Sequence, residues 1–186
     1  MRKNLGAKNY LYPQTVLILG TYDENGIPDA MNAAWGMVAD NDKLMVSLSV
    51  DHKTVLNFKK TGALTVSPAT RKSVVQADYV GVVSGNNVPD KVEKAGLHYR
   101  KSEFVNAPVF DEFPLCFECL VDSFNDETGI LTAKIVNCSV DDSVMTEGKI
   151  DPDKLEAISY DGFNHSYLLV KGKVEDAFHC GLKLKK

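Results

Sequence analysis

Residues 15–21 (TVLILGT) form a short unbroken apolar run suited to a buried strand. Asn25-Gly26 in the following DENG is a hairpin signal, because both residue types tolerate positive φ. Residues 27–39 (IPDAMNAAWGMVA) read as the return strand. After a second turn at DNDK, residues 43–50 alternate, with Leu44, Val46, Leu48 and Val50 on one face. These segments predict a three-stranded meander. The period then changes. DHKTVLNFKKTG opens on Asp51, a good N-cap, and closes on Gly62, a good C′ residue, with Val55, Leu56 and Phe58 as a partly apolar face. That predicts a helix of about eight to ten residues.

ALTVSP follows as a strand stopped by Pro68, residues 70–81 as a helix, and VSGNNVPDKVEKAG as a loop with one or two helical turns. PLCFECLVDSF and TGILTAKIVNCSVDD are strands flanking the turn signal NDETG. DPDKLEAISY is a Pro-led short turn before a strand. Residues 170–186 mix a strand end with a helix finishing in the basic cluster LKLKK. Hairpin-linked strands separated by two or three helices predict an antiparallel α+β barrel.

Composition narrows the class. The chain has 186 residues, one ordinary domain, 44% hydrophobic and 25% charged, as in folded globular proteins. At this length roughly 70% of the extended surface is buried on folding, so the core needs no disulfide or metal staple. A net charge of −4 gives no sign of nucleic-acid binding. The longest apolar stretches, residues 16–19 and 79–83, fall far short of the roughly 20 a membrane helix needs. The start, MRKNLGAKNYLYP, has no apolar core of a secretory signal. A cytoplasmic protein of a single domain over residues 1–186 is the expectation.

Cys116 and Cys119 form a CxxC, but within a strand pattern three residues apart place the two side chains on opposite faces. Zinc or dithiol chemistry is the weaker reading, and free thiols, buried or half-buried in a reducing compartment, the stronger. The four histidines, 52, 98, 165 and 179, lack ligand spacing, and no hydrolase, zincin, Walker or dinucleotide motif is present. Should the chain be an enzyme, its reactive atoms belong to a bound cofactor.

Three segments invite a ligand, each with a plain structural alternative. In SLSVDHKT a strand meets a helix start, where unpaired N–H groups and the dipole attract anions; Ser47, Ser49 and Thr54 add hydroxyls and Lys53 a cation. The alternative is a capped surface helix, and an inward Asp51 opposes the anion. In DAMNAAWG, Ala30, Ala33, Ala34 and Gly36 leave room for a flat group that Asn32 could bond at its edge; the alternative is a tightly packed strand with Trp35 in the core. In VVSGNNVPDKVEKAGLHY, Ser84-Gly85 makes a turn and Lys91 follows Pro89-Asp90 at a helix start, where a solvated lysine is the default.

Taken in order, these segments resemble the flavin reductase-like, FMN-binding split-barrel family, in particular its flavoredoxin-like branch. The resemblance runs from about residue 12 to residue 178 and includes LTVSPAT, NAPVFDEFPLCFECLVD, GILTAKIVNCSV and ISYDGFNHSYLLVKGKVEDAF. It implies an α+β fold, a six-stranded Greek-key split barrel with flanking helices, working as a homodimer with FMN near the subunit interface. It implies a phosphate gripped around Ser47, Leu48, Ser49, Lys53 and Thr54. The flavin ring would lie against Asp29, Met31, Asn32, Ala33, Ala34 and Trp35. Ser84 and Lys91 would come near the flavin, and aromatic residues around Tyr160–Tyr167, Phe163 among them, would cover it. Lys91 is the residue offered as the cation that favours the anionic reduced ring. The sequence departs from the family at Asp29, where Asn is common, and at Asn137, where a histidine is familiar.

The resemblance implies a flavin-dependent oxidoreductase taking a hydride from NADH or NADPH and passing electrons to a small molecule or a partner protein. No protein side chain is assigned a catalytic role and no metal is expected. A flavoredoxin-type carrier without its own nicotinamide reaction is one alternative. A flavin-free ligand-binding barrel, suggested by Asp29, is the other.

Overall fold

A computed structural model describes residues 1–11 and 13–185; Tyr12, where the resemblance begins, and Lys186, last of the basic cluster, lie outside the described residues. Seven strands make one antiparallel sheet: β1 (Leu17–Tyr22), β2 (Pro28–Ala33), β3 (Gly36–Asp40), β4 (Lys43–Ser47), β5 (Ala63–Pro68), β6 (Leu115–Asn125) and β7 (Ile130–Val140). Their order is β2-β1-β5-β6-β7-β4-β3. β2 and β3 are therefore opposite edges of the sheet, yet only Ala34 and Trp35 separate them. Three Cα–Cα steps reach about 11 Å at most, so the sheet has to curl until its edges nearly meet. The result is a split barrel in the mainly antiparallel α+β class.

This corrects the expected meander. Residues 27–39 are two strands rather than one, which also turns six expected strands into seven. Small residues make the crossing possible: a β-carbon on Gly36 would collide with the Leu17 side chain. The DENG hairpin forms as expected, with Gly26 at φ 79° and the Asp23 carboxylate accepting from the N–H groups of Asn25 and Ile27 at 2.8 and 2.9 Å.

β1 is buried along its length because it has a core on each side. Leu17 and Leu19 join Val46, Leu64, Val66, Cys119 and Leu131 inside the barrel, where α1 (Lys53–Thr61) adds Val55 and Phe58. Val16 and Ile18 face outward onto Ala77 and Val80 of α2 (Val74–Val82) and Val92 of α3 (Lys91–Lys94). A continuous apolar run is what a strand buried on two faces requires. β4 ends at Ser47, so Leu48 stays buried while Val50 emerges at 42% exposure, off the expected face.

α1 begins one residue later than Asp51 suggests. His52 is the N-cap, extended at φ −63° and ψ 139°, with no side-chain cap bond. Gly62 ends the helix in the left-handed region, its N–H on the Phe58 carbonyl at 2.8 Å. The expected helix at residues 70–81 opens as a 3₁₀ turn, Arg71–Ser73, fixed by a Thr70/Ser73 capping box, before α2 begins. β8 (Ile158–Asp161) and β9 (Ser166–Leu169) form a hairpin that pairs with Gln14–Thr15 in a second small sheet. The C-terminal helix is a 3₁₀ turn, Cys180–Leu184, with no buried residue.

Cys119 belongs to the barrel core, and Cys116 is buried outside that cluster. Burial pushes the two thiols up to about 12 and about 11 respectively. Cys138 and Cys180 are exposed. No helix among the described residues is long and apolar enough to cross a membrane.

Candidate functional site

A cavity of about 500 Å³ opens where the end of β2, the β4–α1 junction, α2 and the β8–β9 hairpin converge. Its β2 wall is Met31, Asn32 and Ala33, continued by Ala34 and Trp35. Ser47, Leu48, Ser49 and His52 come from the junction. Asp78, Gly81 and Val82 come from α2, and Tyr160 and Tyr167 from the hairpin. Gly81 allows the close approach of α2, since a β-carbon there would stand 2.8 Å from that of Asn32. The Asn32 amide donates to the Ala77 carbonyl at 3.1 Å, which fixes its orientation. Trp35 is 46% exposed, at the cavity rather than in the core.

The junction leaves backbone donors free. Among the described residues no protein acceptor meets the N–H groups of Lys53, Thr54 and Val55; the first bond of α1 runs from the Leu56 N–H to the His52 carbonyl at 3.0 Å. The first turn holds no acidic residue. Asp51 is exposed and absent from the lining, so its carboxylate does not oppose an anion inside the cavity. A nine-residue helix with a bare N-terminus presents partial positive charge to whatever occupies that end.

Eight of the expected site residues thus share one cavity: Met31, Asn32, Ala33, Ala34, Trp35, Ser47, Leu48 and Ser49. Six do not line it. Asp29 and Lys91 form a buried ion pair at 3.2 Å behind the β2 wall, and the Thr54 hydroxyl donates to the other Asp29 oxygen. The Lys91 ammonium also donates to the Val80 and Val83 carbonyls at 3.3 and 3.1 Å. An ammonium has three N–H donors, and these three acceptors use them all, so none remains for a ligand edge. Lys53 turns to the outer side of α1, 3.6 Å from Asp23, in a separate depression with Glu24 and Lys60. Ser84 accepts from the Asn86 N–H at 3.3 Å within its turn. Phe163 packs against Tyr10 in a tilted contact, 4.2 Å between ring centres, and does not line the cavity.

His52, Asp78, Gly81 and Val82 are lining residues that sequence reasoning missed. For the helix trio the signal was present: positions 78, 81 and 82 follow i, i+3, i+4 spacing on one face. Tyr160 and Tyr167 face each other across the hairpin. The Tyr167 hydroxyl donates to Asp78 at 2.7 Å, and burial together with that carboxylate pushes the phenol up to about 12. Tyr160 meets His165 Nδ1 at 2.9 Å. Asn137, the other departure from the family, donates to Glu118 at 2.6 Å and does not line the cavity.

Comparison with known proteins bears on the family and the fold. The model of the flavin reductase like domain matches residues 9–155. Flavoredoxin of Desulfovibrio vulgaris (Miyazaki F) is 32% identical with a TM-score of 0.92, covering 97% of this chain and 100% of that one. Flavoredoxin from Methanosarcina acetivorans, at 23% identity and a TM-score of 0.87 over 98% and 100% of the two chains, shares the fold. An uncharacterized protein of Aeropyrum pernix is 30% identical over 115 residues, 60% of this chain and 43% of that protein, so the match spans less than half of that curated relative. The chain belongs to the flavin reductase-like family.

Proposed function

We propose that the cavity holds FMN and that the protein is a flavin-dependent oxidoreductase. The observation that carries this reading is a slot with two unlike ends: small residues and Trp35 along β2, and the bare N-terminus of α1 beside Ser47 and Ser49. The first suits a flat ring laid against backbone, the second a phosphate. Each hydrogen bond from the α1 N–H groups or the serine hydroxyls to that phosphate is worth about 1.5–3 kcal/mol. When bound, FMN supplies the hydride and electron chemistry. The chain's own residues bind and shield: Tyr167, held by Asp78, and Tyr160, held by His165, form the wall on the hairpin side. Asp29, the residue that suggests a flavin-free barrel, is neutralised inside the fold by Lys91.

Titration of the flavin-free protein with FMN tests the reading. Trp35 is the sole tryptophan and lines the slot, so saturable quenching of its emission is expected; unchanged emission at saturating FMN contradicts it.

NADH or NADPH is the proposed donor, and a small molecule or a partner protein the acceptor. The second reading, a flavoredoxin-type carrier, is supported by the 32% identity to the Desulfovibrio flavoredoxin over nearly the whole of both chains. Rapid mixing of the FMN-loaded protein with each nucleotide separates the two: fast bleaching supports the oxidoreductase, slow bleaching at saturation the carrier. A homodimer completes the proposal. Edge strand β3 leaves Met37 and Val38 exposed at 58% and 68% beside Trp35, an apolar edge that a second copy would cover. Light scattering checks it. Free thiols at Cys116 and Cys119 suit a reducing compartment, and the cytoplasm is the proposed location.

A further inference from the structure

Behind the cavity, β2 and α2, which supply part of its lining, and α1, which starts just after the lining residue His52, meet at one buried group of side chains. Lys91, at the start of α3, is 3% exposed. Its ammonium holds the Val80 and Val83 carbonyls at the C-terminal end of α2 and the Asp29 carboxylate on β2. Asp29 in turn accepts the hydroxyl of Thr54 in the first turn of α1. Gly85 closes the group, because a β-carbon there would run into the Asp29 carboxylate. The signs match the helix ends they meet: a cation at the carbonyl end of α2 and a carboxylate at the N–H end of α1. The same β2 carries Asn32, the same α2 carries Asp78 and Gly81, and the same α1 follows His52.

We propose that the Asp29–Lys91 pair, with Thr54, is a positioning element: it sets the distance of α2 from β2 and from the α1 N-terminus, and so the width of the slot. It touches no ligand, since the lysine's donors are already engaged. Its ligand rests on the flavin reading, whereas its effect on the empty slot does not.

The test compares the full chain with Asp29→Asn/Lys91→Met, which removes both charges together and leaves no stranded carboxylate, and with Thr54→Val, which removes one hydroxyl at constant volume. Melting temperature, FMN affinity and acrylamide quenching of Trp35 in the flavin-free protein are measured on each. The double variant is expected to melt below the parent, because the Val80 and Val83 carbonyls lose a donor, but to stay folded, to bind FMN about tenfold more weakly, the equivalent of one lost charge-assisted bond, and to expose Trp35 more to acrylamide. Thr54→Val is expected to move affinity and quenching in the same directions by a smaller factor. Parental affinity and parental quenching in the folded double variant would overturn the proposal. Should that variant fail to fold, Thr54→Val decides by the same criterion. If the parent itself takes up no FMN, the flavin reading falls, and Trp35 quenching in the flavin-free proteins alone decides the positioning role.

Discussion

Asp29 and Glu118 are both buried carboxylates on sheet strands, and they are satisfied in different ways. Asp29 has a cation, Lys91, and a hydroxyl, Thr54. Glu118 has two neutral donors, the Ser102 hydroxyl and the Asn137 amide, and Ser102 in turn accepts from the N–H groups of Phe104 and Val105 at 3.0 and 2.9 Å. The first group joins two helix ends beside a cavity; the second pins a loop to the barrel. A full counter-charge is used where helix termini have to be held apart at a fixed distance, and ordinary hydrogen bonds suffice where a loop has to be held down.

Breaking each group in turn should give effects that fall in order. Lys91→Met leaves the Asp29 carboxylate buried and uncompensated, at an expected cost of about 3–5 kcal/mol; denaturant unfolding measures it. A loss below about 1 kcal/mol would mean that Asp29 finds another partner or reaches water. Ser102→Ala removes a hydroxyl that bonds Glu118 and two backbone N–H groups, and should cost about 1–3 kcal/mol in the same experiment without changing FMN affinity, because Glu118 stands apart from the cavity. Weakened FMN binding in that variant would dissolve the distinction between the two groups.

Smaller effects concern titration. The Tyr167 phenol is raised in the folded protein, to about 12, so the unfolded chain loses its proton first as pH climbs. Its contribution to stability is present below about pH 10, the unperturbed tyrosine value, and is lost as pH rises towards the folded value. Tyr167→Phe should flatten the alkaline limb of the stability curve; an unaltered limb would show that burial and Asp78 together do not raise the phenol. Least perturbing is thiol labelling. Cys138 and Cys180 should react with a disulfide reagent at pH 8 and Cys116 and Cys119 only after unfolding, since burial raises the latter pair to about 11 and about 12. Four fast thiols in the native protein would contradict the packing of β6.

Local chemistry was legible from single residues. The DENG turn, the Gly62 stop and the two-sided burial of β1 follow from φ preference and apolar pattern. The break at Ala34 and Trp35 was not, because a strand's period is silent on which neighbour it pairs with; only the sheet order shows β2 and β3 at opposite edges. The site divides along the same line. Asn32, Ala33, Ala34, Ser47 and Ser49 stand out in the sequence because small residues and hydroxyls announce room and donors, whereas Met31, Leu48 and the place of Trp35 at the ligand come only from the resemblance. Lys53 and Thr54 are suggested by their place at the junction and Lys91 by the resemblance alone, and neither says which way a side chain turns. Lys53 finds Asp23 and Lys91 finds Asp29, partners 30 and more residues away in sequence.

Titrating the flavin-free protein with FMN and with riboflavin, which lacks the phosphate, asks whether the α1 N-terminus anchors a phosphate. Two or more charge-assisted bonds at that end predict FMN binding at least about 100-fold tighter than riboflavin. Equal affinities for the two flavins would contradict the account.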